Sequence, residues 1–399
     1  MRRRLSPYER FVWAAGEALP FNIAAIARVH GRADPDRIRE SLAAARQRHP
    51  LLGVRVTDSG RWRAWLTTDG VPDPQLRVVK ATAPDSWSRV VEEELQRTFD
   101  TAVGPLTRFV VVDAGESFDL ISVYHHLVGD AHSAGTVIHD VLRGPADVPS
   151  APAFAPPADT LLTHARPELS DLRKLARSVS GPTRRPHRSG RLTFTTWSLD
   201  SDETTTLLAR CRTERTTLQA ALCTAFARSL PHSARIAVAA DLRRILTPAA
   251  RTAVGLYATS FIETVNGADP RDFWALARDV RTDIHQRLVP EELSPLVRAY
   301  RLLPFIPSQT IGSLLHRSET QGARFDVSIS NARLLIPTDY GPLRLAALYG
   351  AAHTSLSGAP LVFVAGFDGR LFLSVTSTGA TSSKDLCERS MSHLTVACG

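Results

Sequence analysis

Apolar positions recur three and four apart at Ile38, Leu42 and Ala45, directly behind Asp34-Pro35. An N-capping aspartate followed by a proline at the first helical position predicts a helix there, ending near His49-Pro50. The run 51–56 then reads as a strand. Trp87, Val90, Val91 and Leu95 share one face of a helix expected over 85–99. Two apolar runs, 108–113 and 117–126, flank Ala114-Gly115 and predict neighbouring strands joined by a turn. Ala134, Val137, Ile138, Val141 and Leu142 mark the next helix. Alternating helix and strand signals with nearly continuous apolar strands predict an α/β arrangement around a mostly buried sheet.

The pattern changes between Gly144 and Gly190, where eight prolines crowd around one weak helical stretch at 169–179. Such a density of proline suits a crossing linker better than a core element. Regular signals resume with a strand at 192–199 and a helix over 202–230 that breaks near Thr213-Glu214. A strand at 235–241 and a helix at 272–287 follow. Further strands are expected at 326–331, 342–348, 361–367 and 370–376, and a last helix at 382–396. The expected organisation is an N-terminal lobe over 1–145, a linker over 146–190 and a C-terminal lobe over 191–399. Two domains suit a chain of 399 residues.

Composition narrows the function classes. Apolar residues make up 43% and charged residues 22%, enough to bury real cores. Four scattered cysteines form no disulfide framework and no C-x-x-C pair. No apolar run approaches the roughly 20 residues of a membrane span, and no signal peptide follows the basic start, so a cytoplasmic protein without a membrane role is expected. The formal net charge is +8, but only Lys80, Lys174 and Lys384 are lysines and the arginines are scattered. Without an aromatic-interleaved basic stripe, nucleic acid is not the expected partner, and an acidic protein or a phosphate-bearing substrate accounts for the charge at least as well.

The densest chemistry lies in Tyr124-His125-His126-Leu127-Val128-Gly129-Asp130-Ala131-His132-Ser133, where a buried strand gives way to a helix. Open α/β sheets commonly place reactive groups at such a junction. Adjacent histidines at a strand end point to opposite faces, so only one can face a given cleft. Asp130 stands at the helix entry, suited to capping or to an ion pair. No H-x-x-x-H or HExxH spacing supports a metal, and no G-x-S-x-G, P-loop or G-x-G-x-x-G motif is present.

This stretch resembles the HHxxxDG signature of the chloramphenicol acetyltransferase-like superfamily. That group includes nonribosomal-peptide condensation domains, plant BAHD acyltransferases and bacterial polyketide-associated (Pap) acyltransferases. Leu5-Ser6-Pro7, the passage from Leu42 to Leu52, Phe99-Asp100, Gly104-Pro105-Leu106, Asp241-Leu242-Arg243 and Ser330-Asn331 resemble other family segments in the family's order. The plant DFGWG motif is missing, which puts the resemblance nearest the Pap-type and free-standing condensation enzymes.

The resemblance implies two acyltransferase-like α/β lobes, each with a mostly buried mixed sheet, around a central channel. It implies that His126 faces the channel as general base while His125 packs, and that Asp130 is structural and pairs with Arg243. Ala131, Ser133, Ser330 and Asn331 are candidates for lining the channel or polarising a carbonyl. Ala131 departs from the family's glycine, which bears on substrate scope. The implied activity is transfer of an acyl group from a thioester, on carrier-protein phosphopantetheine or coenzyme A, to an alcohol or amine in natural-product biosynthesis. No bound cofactor is then required, and an acyl or peptidyl carrier protein is the expected partner. Two alternatives keep the fold: a non-catalytic recruitment module, and a cyclisation step. His125-x-x-x-x-Asp130 also matches the box of glycerolipid acyltransferases, whose membrane association finds no anchor here.

Overall fold

A computed structural model describes residues 1–58, 63–145, 153–162, 166–179, 190–246, 252–303, 306–322, 324–378 and 383–398. The first half contributes strands β1 (Arg2–Arg4), β2 (Asn22–His30), β3 (Arg55–Asp58), β4 (Ala64–Thr67), β5 (Leu76–Lys80), β6 (Thr107–Asp113) and β7 (Ser117–His125). The second contributes β8 (Thr193–Leu199), β9 (Ala234–Asp241), β10 (Ala258–Val265), β11 (Val327–Arg333), β12 (Arg344–His353), β13 (Leu361–Phe367) and β14 (Arg370–Ser377). They assemble into a five-stranded sheet, β12-β2-β7-β6-β5, a six-stranded sheet, β10-β9-β11-β13-β14-β8, and a small sheet, β1-β4-β3. Both large sheets are mixed: β5 runs parallel to β6, and β11 runs parallel to both β9 and β13. Helices cover them, as expected for an α/β chain.

One strand crosses between the lobes. β12 belongs by sequence to the expected 191–399 lobe, yet it pairs antiparallel with β2 from Arg344↔His30 to His353↔Asn22, with a bulge between Leu345 and Ala347. The edge of β2 is thereby completed from the other half of the chain. Ser374 and Thr376 of β14 donate side-chain hydrogen bonds to the carbonyls of Gly350 and Ala352, stitching that strand to the second sheet.

Several expected elements stand where the periodicity put them. Helices cover Pro35–Arg48, Ser86–Gln96 and Ala131–Arg143, and the weak linker helix is Leu169–Val179. The expected helix over 202–230 breaks into Ser201–Thr213 and Leu218–Arg228, with Arg215 in the left-handed region at φ 53°. The run 51–56 is not all strand: Pro50–Gly53 forms a 3-10 turn before β3. The remainder of the expected linker falls largely on residues 146–152, 163–165 and 180–189, outside the described ones. What is described of it is docked: Pro156 accepts from the Tyr257 hydroxyl at 2.6 Å, and Asp171 binds Arg298 through two contacts of 2.6 Å.

Candidate active site

β7 ends at His125, and the chain then turns through Gly129 into the helix at Ala131. The His126 amide donates to the Phe21 carbonyl at 3.0 Å, which keeps the turn aligned with β2 beyond the last ladder pair. His126 Nδ1 lies 2.9 Å from the Gly129 carbonyl oxygen. A carbonyl only accepts, so Nδ1 carries the proton and Nε2 holds the lone pair of the neutral ring. Burial lowers the His126 pKa below the ordinary imidazole value of 6.5, although the Gly129 carbonyl and Asp130 pull the other way. The result is an imidazole that is neutral at pH 7, with its orientation and tautomer fixed by one backbone bond.

Phe21, whose carbonyl accepts the His126 amide, sits in a strained position with φ 42°, a region bulky residues rarely adopt. Its ring centroid lies 6.1 Å from that of His126. Strain of this kind, of order 1–3 kcal/mol, persists only where the surroundings enforce it. Nothing in the local sequence singles Phe21 out, since φ is not encoded by residue type here.

His125 is buried at 2% exposure and turned away. Its Nδ1 accepts from the Leu127 amide at 3.1 Å, so the proton sits on Nε2, which has no hydrogen-bond partner among the described residues. Burial, with His126 beside it, pushes its pKa down to about 3. A histidine that stays neutral and packs edge-on to Phe99, with ring centroids 6.3 Å apart, is a core residue.

Asp130 caps the following helix by accepting from the Ser133 amide at 2.8 Å. Its other oxygen accepts from Arg243 Nη1 at 2.7 Å and from the Tyr257 amide at 2.9 Å. Both side chains are 4% exposed. Burial would raise the Asp130 pKa, but the Arg243 charge and these three donors hold it below its ordinary value. Arg243 also donates to the Ser133 hydroxyl at 3.0 Å and the Ala253 carbonyl at 2.9 Å, and its guanidinium stacks 4.6 Å from the Tyr257 ring centroid. The pair joins the His126 turn to the second lobe, because the Arg243 turn follows β9.

A cavity of about 330 Å³ opens between the two large sheets beside His126. Ala131 and Ser330 line it, whereas two other channel candidates do not. Ser133 is fully buried, its hydroxyl donating to the Gly255 carbonyl at 2.8 Å and accepting from Arg243 and the Gly255 amide. Asn331 is exposed, because strand alternation turns it away from the face that carries Ser328 and Ser330. Ala131 sits at the first position of its helix and is not among the residues of positive φ, so its methyl group causes no backbone strain. Sequence reasoning missed the walls from β2, β10 and β12 and the tyrosines Tyr8 and Tyr300. Their small and apolar residues carry no chemical signature, and only the crossing of β12 makes them one surface.

With this geometry in place, comparison with known proteins identifies the architecture. Residues 15–144 match the Condensation domain family. Trichothecene 15-O-acetyltransferase TRI3 from Fusarium sporotrichioides superposes over 100% of this chain and 95% of its own, with TM-score 0.77 at 12% identity. The whole chain shares the fold of that acetyltransferase. Polyketide synthase associated protein 5 from Mycobacterium tuberculosis shares it over 99% of this chain and 98% of its own, at TM-score 0.69 and 17% identity. By sequence, a linear gramicidin synthase of Brevibacillus parabrevis is 26% identical over 149 residues, 35% of this chain and 3% of that much longer protein.

Within the condensation fold, the matched first lobe contains the His125–Asp130 turn, and the partner arginine comes from outside the matched residues. No helix among the described residues is long and apolar enough to cross a membrane. No cluster of three metal-ligating side chains occurs among them either.

Proposed function

We propose that this chain is an acyltransferase, moving an acyl group from a thioester to the hydroxyl or amine of a small acceptor, with His126 as general base. The observation that carries the reading is the His126 ring: Nδ1–H is committed to the Gly129 carbonyl, and the ring edges a cavity between the lobes. Nε2 takes the acceptor proton as its oxygen or nitrogen attacks the thioester carbonyl. The tetrahedral intermediate then collapses, the C–S bond breaks, and the imidazolium returns the proton to the departing thiolate. The thioester supplies its own activation, so no bound cofactor takes part. A role in peptide or polyketide natural-product assembly is in keeping with the relatives of the first lobe.

The donor thioester rides on the phosphopantetheine arm of an acyl or peptidyl carrier protein, with coenzyme A as the competing form. Carrier proteins are typically acidic, and a chain of formal charge +8 attracts such a partner. The test is turnover by mass spectrometry across a panel of acyl thioesters and acceptors. The carrier-bound donor should show the higher kcat/KM, with the advantage shrinking toward about 0.5 M salt, where the Debye length is about 4 Å. Equal or better turnover with acyl-coenzyme A at every salt concentration assigns the small-molecule donor. No turnover with any thioester removes the acyltransfer reading in favour of a recruitment module or a cyclisation step.

A further inference from the structure

Gly350 of β12 and Phe363 of β13 meet across the cavity. A Cβ placed on Gly350 would stand 2.5 Å from Phe363 Cδ1 and 2.6 Å from Cγ, so the ring lies flat on the glycine backbone. The two residues belong to different sheets, and both line the cavity. His126 is level with Phe21, whereas Gly350 is level with Ala25 and two strands over. Four residues along a strand and two strand spacings separate the positions by roughly 17 Å. Phe21, Ile23 and Ala25 line the wall between them. Apart from His126 and the paired Asp130, no charged side chain among the described residues lines this space.

We infer that the limb of the cavity running from His126 along β2 is a binding site for an uncharged apolar chain, and that Phe363 seated on Gly350 ends it and sets its length. A chain threaded there with its reacting carbon at His126 runs over alanine and aromatic surface and meets the Phe363 ring. The polar groups there are uncharged hydroxyls such as that of Ser330, which pairs in register with Phe363, and none of them neutralises a buried charge, so a charged chain is disfavoured. Glycine at 350 is required for the ring to lie where it does. The inference rests on the acyltransfer reading only for which end of the chain reacts. The chain arrives either as the acyl group of the thioester or as part of the acceptor.

The test measures two homologous series, acyl thioesters from butanoyl to palmitoyl and n-alcohols of matching length. Binding is read by calorimetry on the His126→Ala protein and turnover on the protein with His126 intact. Phe363→Ala should shift the preferred chain to greater length, changing the long-to-short affinity ratio by about tenfold or more. Gly350→Ala, which displaces the ring, should disturb the ranking as well, and Phe363→Leu gives a milder lengthening should the alanine variant melt. A shift confined to the thioester series makes this the acyl site, and one confined to the alcohols makes it the acceptor site. An unchanged length ranking in both series for folded variants overturns the inference. Length-dependent binding without turnover of any thioester sinks the acyltransfer reading and leaves the chain site standing.

Discussion

Arg243, from the turn after β9, donates to Asp130 at 2.7 Å across the boundary between the lobes. Asp130 is four residues from His126 and caps the helix that closes its turn. The position of the candidate base is thereby tied to how the lobes dock. The ties on Asp130 come from three directions, with Arg243 and the Tyr257 amide belonging to the second lobe and the Ser133 amide to the first.

Removing one partner of this pair leaves the other charge buried and unmatched, at about 3–5 kcal/mol. Asp130→Asn and Arg243→Met should each lower the thermal midpoint, and the double variant should lose less than the sum of the two. Strictly additive losses in that cycle show that the contact contributes no coupling. Because the Asp130 pKa is depressed on folding, its contribution is present above the ordinary carboxylate pKa and fades as pH falls through the folded value.

His126 should govern the acid limb of the rate. His126→Ala is expected to lower kcat/KM by roughly 10²–10⁴ with an unchanged thermal midpoint. The base must be neutral, and its folded pKa lies below 6.5, so wild-type turnover should hold below pH 6.5 before falling. A profile whose acid limb lies above that value contradicts the buried, Gly129-anchored ring described here.

Much of this site was legible because its chemistry is local. His125, His126 and Asp130 are fixed relative to one another by one strand end and one helix start. Arg243 is 113 residues from Asp130, and in the sequence only family resemblance connects the two. β2 carries no readable strand signal, for Asn22–His30 has three alanines and no polar alternation, although it lies inside the first sheet between β12 and β7. Its pairing with β12, more than 300 residues on, is not legible either, because a strand that crosses between sheets leaves no periodic trace. Ser133 looked like a channel residue from its motif position, yet the Arg243–Gly255 network consumes its hydroxyl.

That network makes Ser133 a residue of stability. Ser133→Ala strands the Gly255 amide and carbonyl and one Arg243 N–H, at about 1–3 kcal/mol for buried groups left unpaired. The thermal midpoint should fall while KM for both substrates stays unchanged. A raised KM with an unaltered midpoint would instead return Ser133 to the channel.

The last expectation concerns the contact that parks His125 away from the chemistry. A Cβ on Gly16, the final residue of helix Pro7–Gly16, would lie 2.1 Å from His125 Nε2. Gly16→Ala should therefore destabilise by about 1–3 kcal/mol through overpacking. His125→Ala removes the obstructing ring at its own cost of lost packing, and leaves room for the alanine at 16. The double variant should accordingly be more stable than the summed single losses imply, whereas simple additivity would mean that the helix moves aside. A pH series adds an independent readout. The unfolded chain protonates His125 below about pH 6.5, and the folded chain resists protonation until about pH 3. Wild-type stability should decline as pH falls through that window, and the His125→Ala variants should lose less over the same range.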